Sequence, residues 1–134
     1  MKFEKFIYTV GHSNRSIEEF IKLLKDNSIK VVVDVRRFPK SKFPHFCGDE
    51  LVRILKGWGI EYVYLGKELG GFRKGGYEIY MESDEFREGI KKLETVCTWS
   101  ICAIMCAERL YFKCHRRFIS KYLESLGWKV VHLK

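Results

Sequence analysis

The sequence predicts an α/β fold: one three-layer α/β/α domain, Rossmann-like, built on a five-stranded parallel sheet. Two observations carry this. Five short apolar or β-branched runs alternate with four stretches whose apolar residues recur at helical spacing, the alternation expected of strand–helix–strand units. Of the 134 residues 46% are hydrophobic, enough to bury one core. No composition shift, repeat or low-complexity segment divides the chain, so residues 1–134 are read as a single domain.

The first strand is Phe6 to Val10. After Gly11-His12-Ser13-Asn14-Arg15, Ser16 and Glu19 form a capping box for a helix whose buried stripe is Ile17, Phe20, Ile21 and Leu24. Val31 to Val35 is the second strand, β-branched except for Asp34. A long loop, Arg36 to Gly48, precedes a helix carrying Leu51, Ile54, Leu55 and Trp58, which Gly57 and Gly59 help to end. The third strand is Ile60 to Leu65. The loop Gly66 to Glu82 follows, with five glycines among aromatic and basic residues. Ser83 or Asp84 caps the next helix, with Phe86, Ile90, Leu93 and Cys97 facing inward. Ile101 to Cys106 is the fourth strand, a helix runs from about Cys114 to Leu126, and Val130 to Leu133 is the fifth strand.

Strands two and four are the most continuously apolar and belong inside the sheet, whereas strand three alternates and suits an edge. Strand order 3-2-1-4-5 fits these features, with 2-1-3-4-5 as the alternative. In the first order strands one and four are neighbours, which brings the His12 loop beside the loop after Cys106.

A net charge of +8 favours an anionic partner over a neutral one, although 16 of the 25 basic residues are lysines that also serve solubility. No apolar run reaches the ~20 residues that cross a bilayer, so no membrane association is expected. The start Met1-Lys2-Phe3-Glu4-Lys5 lacks a signal-peptide pattern, and five cysteines without an export signal point to reduced thiols in the cytoplasm.

Each strand-to-helix loop of a parallel sheet opens at its carboxyl edge, where ligands bind. That edge collects His12, Ser13, Asn14 and Arg15 from the first loop, and Asp34, Arg36 and Arg37 from the second. It receives Glu68, Gly70, Gly71 and Arg73 from the third, and Cys106, Glu108, Arg109, Cys114, His115 and Arg116 from the fourth. The opposite loops, Asp26 to Lys30 and Gly57 to Gly59, are short and chemically plain.

Two helix N-termini, together with Arg15, Arg36 and Arg116, are suited to phosphate or carboxylate oxygens. The same arginines could instead pair with Asp34, Glu68 and Glu108 inside the fold. Ser13 and Asn14 are explained equally by a turn that caps the first helix. Cys114, near a helix start and flanked by His115 and arginines, has surroundings that depress a thiol pKa and make it a nucleophile; a small packed thiol is the plainer reading. Neither cysteine fits the cysteine-phosphatase loop, because Phe112 and Ser120 stand where its arginine is required. A metal is not expected. Cys106, Cys114 and His115, with His12 or His45, are the residues one would use, but the eight-residue cysteine separation is not a zinc-knuckle spacing and no Cys-x-x-Cys occurs. A Cys106–Cys114 redox pair is a further reading. Cys47, Cys97 and Cys102 read as loop or core residues. Loops 36–48 and 66–82 interleave Arg and Lys with Phe and Tyr, a mixture that suits a nucleotide or single-stranded nucleic acid.

Taken together, Gly11-His12-Ser13, Asp34-Val35-Arg36 with Pro39 and Ser41, Leu69-Gly70-Gly71, Cys106-Ala107-Glu108 and Cys114-His115-Arg116 resemble the domain of unknown function family 488. The pieces come in the family's order, without the proline that members often carry between the last two. The resemblance implies a compact cytosolic α/β domain and supplies neither a reaction nor a cofactor. Asp34-Val35-Arg36 is also similar to a rhodanese entry motif, which keeps sulfur chemistry open.

The reading that follows is an enzyme acting on a phosphate-bearing substrate, a nucleotide or nucleic acid. Its anion site comprises Ser13, Asn14, Arg15, Asp34, Arg36, Glu68, Gly70, Gly71, Arg73 and Arg116. Glu108, His12 or His115 would transfer protons and Cys114 would be the nucleophile. The alternative is a non-catalytic nucleotide- or nucleic-acid-binding module.

Overall fold

The structure is a computed structural model that describes residues 5–134; the reading made of Met1 to Glu4 lies outside the described residues. The five strands are β1 (Phe6–Gly11), β2 (Val31–Asp34), β3 (Glu61–Tyr64), β4 (Cys102–Cys106) and β5 (Lys129–His132). The helices are α1 (Ile17–Asp26), α2 (Gly48–Gly57), the single turns α3 (Gly66–Leu69) and α4 (Tyr77–Tyr80), then α5 (Asp84–Trp99) and α6 (Arg116–Ser125). Among the described residues no helix is long and apolar enough to cross a membrane.

All strand pairs are parallel, and the order is β3-β2-β4-β1-β5. The α/β class, the edge position of β3 and the β1–β4 pairing agree with the sequence. The expected order 3-2-1-4-5 differs by an exchange of β1 and β4, since β4 lies between β1 and β2 rather than outside them, and the alternative 2-1-3-4-5 shares no neighbouring pair with the observed sheet. The reason is solvation. Every residue of β4 is buried, whereas β1 alternates half-buried Phe6 and Tyr8 with buried Ile7 and Thr9. The one strand that is apolar at each position takes the centre of the sheet, where helices cover both faces.

Alternation along the strands divides the core in two. Val31 and Val33 of β2 and Cys102, Ile104 and Cys106 of β4 face α5 and α6. Val32, Ala103 and Met105 face Phe20 and Leu24 of α1 and Leu51 and Leu55 of α2. Ser16 caps α1 by accepting from the Glu19 N–H at 3.0 Å, and Ser83 caps α5 by accepting from the Phe86 N–H at 3.1 Å. Trp58 closes α2 but stays half-exposed, with the Lys25 ammonium over its ring. Gly127, at φ +95°, reverses the chain after α6.

The loop after β3 is more ordered than its glycines imply. Phe86 packs edge-on against Tyr77, Tyr80 and Tyr122, and the Tyr77 and Tyr80 hydroxyls donate to the Leu69 and Glu68 carbonyls. Phe86→Ala should therefore cost about 3–5 kcal/mol. Urea denaturation would show it, and a loss below about 1 kcal/mol would contradict the packing described.

Candidate functional site

Because β1 and β4 pair in register as far as Gly11 and Cys106, their outgoing loops leave side by side. The His12 N–H donates to the Cys106 carbonyl and the Ser13 N–H to the Ala107 carbonyl, both at 2.9 Å. Gly11 is required for this approach, since a Cβ there would overlap the Glu108 carbonyl.

The first polar cluster is built on Asp34 at the end of β2. Arg36 donates to its carboxylate through its backbone N–H (3.0 Å), Nε (2.9 Å) and Nη2 (2.7 Å), and the Tyr62 hydroxyl donates at 2.5 Å. Arg36 Nη1 donates to the Phe46 carbonyl at 2.7 Å and lies 3.3 Å from His12 Nε2. His12 donates from Nδ1 to the Ser13 carbonyl at 2.9 Å and stacks on Phe46, so its Nε2 carries the lone pair that faces Arg36. Burial, with the nearby Arg36 charge, holds the His12 pKa down to about 4. Burial likewise pushes the Tyr62 hydroxyl pKa up. Every charged group here has a partner, so the cluster fixes the 36–46 loop and leaves no group free for a ligand.

The second cluster differs. Arg116, at the start of α6, is 1% exposed, and among the described residues no carboxylate stands within ion-pair distance of it. Its Nε donates to Cys106 Sγ at 2.9 Å and to Cys114 Sγ at 3.3 Å. Nη1 donates to Thr9 Oγ1 at 3.0 Å, and Nη2 to the Glu108 and Arg109 carbonyls. The two sulfurs are 3.0 Å apart, and the Arg116 backbone N–H also reaches Cys114 Sγ. The Cys106 hydrogen bond and the Arg116 charge outweigh burial and bring the Cys114 thiol down to about 6. Cys106, donating that hydrogen bond and deeply buried, is pushed up. The two shifts run in opposite directions, so Cys114 ionises before Cys106, and an ionised Cys114 supplies the anion that Arg116 otherwise lacks.

Cys114 opens onto a cavity of about 760 Å³. Arg36, Arg37, Phe38 and Lys40 from the β2 loop line it, with Gly71, Phe72 and Tyr77 from the segment after β3, residues 106–108 and 112–115 from the end of β4 and its loop, and Arg117 and Phe118 of α6. His115 donates from Nε2 to the Val35 carbonyl at 2.7 Å, leaving its Nδ1 lone pair beside Gly71, where a Cβ would sit 3.2 Å away. Burial lowers the His115 pKa, so the ring is a neutral acceptor. Glu108 reaches the cavity with its side chain exposed.

The structure thus brings Cys114, Cys106, Glu108, His115, Gly71 and Arg36 to one cavity. His12, Ser13, Asn14 and Arg15 do not line it. Arg15 Nε donates to the Gly11 carbonyl, and its Nη2 is buried without a partner. Glu68 pairs with Lys92 of α5 at 2.8 Å. Gly70 packs tightly against Gly66 and Arg37. Arg73 donates to the Gly70 and Lys67 carbonyls and stacks on Tyr80, so it ties the loop together. Among the described residues no three His, Cys, Asp or Glu side chains gather as a metal-ligand set, and the Cys106–Cys114–His115 grouping is not one.

Three contributors escape a reading by motif. Thr9 accepts from Arg116 and stands 2.6 Å from His132 Nδ1, and His132 stacks on Tyr111 at a centroid distance of 3.6 Å. Tyr62 completes the Asp34 cluster. A polar residue within an apolar strand, as at Thr9, was the available signal.

Residues 16–123 match the family model described as Domain of unknown function DUF488. No curated protein and no solved structure gives a match.

Two expected outcomes follow from these charges. The unfolded chain protonates His12 near 6.5 while the fold resists until about 4. Stability should thus fall as pH drops through that window, by about 2–3 kcal/mol at pH 4.5 from this residue. Urea unfolding at pH 7 and pH 4.5 checks it; an equal drop in His12→Asn would disprove the assignment. Iodoacetamide should alkylate Cys114 first, with a rate midpoint at about 6, and a midpoint near about 8.5 would refute the thiolate.

Proposed function

Since the chain belongs to the DUF488 family, whose description names no reaction, we propose from its site that it is a thiol-dependent enzyme acting on a phosphate-bearing substrate, a nucleotide or single-stranded nucleic acid. The carrying observation is Cys114 at the wall of a basic, aromatic-rimmed cavity, its sulfur accepting from the Arg116 backbone N–H and Nε at 3.3 Å. Arg37, Lys40, Lys113 and Arg117 surround that cavity and Glu108 is the one acidic residue in its lining. Phe38, Phe72 and Phe112 line it too, and all three are more than half exposed, Phe72 at 87%.

These features divide the work. The cations neutralise phosphate and the phenyl faces stack on bases. Cys114 Sγ bonds to an electrophilic centre of the bound substrate as that centre's bond to its leaving group breaks; the leaving group takes up a proton and departs, and water then cleaves the bond to sulfur and restores Cys114. Glu108 and His115 Nδ1 are the proton-transfer groups within reach of the cavity, and His12 is assigned no such part because Arg36 and Phe46 enclose it. Arg36 and Arg116 act by positioning rather than by holding the ligand, since their N–H groups are engaged within the protein.

A second reading, binding without catalysis, is favoured by the same exposed phenylalanines. Cys114→Ser separates the two. Under the proposal it abolishes turnover of a nucleotide or oligonucleotide substrate, by more than about a hundredfold, while Kd and its salt dependence stay within about threefold. Absence of any nucleotide or oligonucleotide affinity in the unaltered protein would sink both readings. Binding with no thiol-dependent turnover would leave the second.

A further inference from the structure

We propose that Cys106 and Cys114 form an exchange-active dithiol that reacts with small anionic disulfides, Cys114 attacking and Cys106 resolving. This activity shares the Cys114 nucleophile with the proposed function and does not depend on a nucleotide.

Four observations converge. The sulfurs are 3.0 Å apart, and a disulfide needs about 2.05 Å, so about 1 Å of closure suffices. The sulfurs stand at the end of β4 and just before α6, and Arg116 ties the start of α6 to β1 through Thr9 and to the turn after β4 through the Glu108 carbonyl. Their environments are unequal: Cys114 is half-buried and Cys106 is 2% exposed, so a reagent entering the cavity meets Cys114 first. The cavity is large and basic, which selects a negatively charged disulfide over a neutral or cationic one.

The steps balance as follows. Cys114 Sγ, as thiolate, attacks one sulfur of R–S–S–R; the Cys114–S–R bond forms, the R–S–S–R bond breaks and R–S⁻ leaves into the cavity. Cys106 then releases its proton to solvent and attacks Cys114 Sγ. The Cys106–Cys114 bond forms, the bond to R–S breaks and a second R–S⁻ leaves. Two electrons pass from the protein dithiol to the reagent, which is reduced to two thiols. Excess R–SH reverses the sequence. Arg116 sets the direction: closing the bridge deprives a buried guanidinium of its anionic neighbour, which stabilises the reduced form and makes the bridge easy to reduce. That is the behaviour of an exchanging pair rather than a structural disulfide.

The test uses the full chain and oxidised glutathione, a disulfide of net negative charge. Reduced protein is exposed to excess reagent, quenched in acid, alkylated and mapped by mass spectrometry. The proposal expects two of the five cysteines to be protected, as a Cys106–Cys114 bridge without retained glutathione, and full return to the dithiol in excess reduced glutathione. Cys106→Ser should stop at the mixed disulfide, with glutathione retained on Cys114. Cystamine, a cationic disulfide, should react at least about tenfold more slowly. A stable adduct on Cys114 of the unaltered protein, a bridge between Cys97 and Cys102, unreacted thiols, or equal rates for the two reagents would each overturn it. The readout requires no nucleotide. Failure here therefore leaves the proposed function standing, and absence of nucleotide turnover leaves the dithiol standing.

Discussion

The buried guanidinium of Arg116 is the constraint on which the site depends. A fully desolvated charge is tolerated only when each donor is engaged and an opposite charge stands close. Arg116 reaches into β1 through Thr9, into the turn after β4 through the Glu108 and Arg109 carbonyls, and to both sulfurs. These bonds fix where α6 begins relative to the sheet. They also fix the chemistry, because the opposite charge can come only from sulfur among the groups that touch it. The arrangement that keeps the fold closed at this corner is the one that ionises Cys114.

Asp34 and Arg36 make the useful contrast. Both pairs lie at the carboxyl edge and both bury an arginine, yet Arg36 has its carboxylate at 2.7 Å with Tyr62 and Phe46 absorbing the remaining hydrogen bonds. That cluster is electrostatically complete, so it holds a loop and stacks His12 against Phe46. The Arg116 cluster is complete only while a thiol is ionised. A centre whose stability requires a reactive state of one member is poised for chemistry.

Much of the fold was legible in the sequence because local signals agreed with the global arrangement. Ser16 and Ser83 cap their helices, the stripe Phe86, Ile90, Leu93 and Cys97 is buried, and β1 lies beside β4. The strand order was not legible, since it turns on the relative burial of β1 and β4, and Phe6, Ile7, Val10 look as apolar in one dimension as Cys102 to Met105. For the site, clustering at one edge could be read from topology, but partner choice could not. Arg36 and Arg116 look alike as ligand-binding arginines in the sequence. Only three dimensions reveal that their donors are used internally, and that Glu68 turns away to Lys92. Thr9 and His132 stayed hidden because their role arises from the β1–β5 register, which pairs them.

The position of the cavity follows from the same burial argument that set the strand order. An all-apolar β4 occupies the middle of the sheet, so the chain leaving its carboxyl end emerges at the centre of the edge rather than at a flank. The β2 loop then rises on one side, carrying Arg37, Phe38 and Lys40, while Gly71 and Phe72 arrive from the β3 loop. Cations and aromatic rings from three loops can meet around Cys114 only because the strand before it is central. Were β1 central instead, with β2 beside it, the β4 loop would lie one strand farther from the β2 loop, about 4.8 Å more. The cavity would open at the seam between β1 and β2, where His12 is already enclosed, and the thiolate would stand outside it. Thus the hydrophobicity of five consecutive residues, Cys102 to Cys106, places Cys114 among basic and aromatic side chains from three loops.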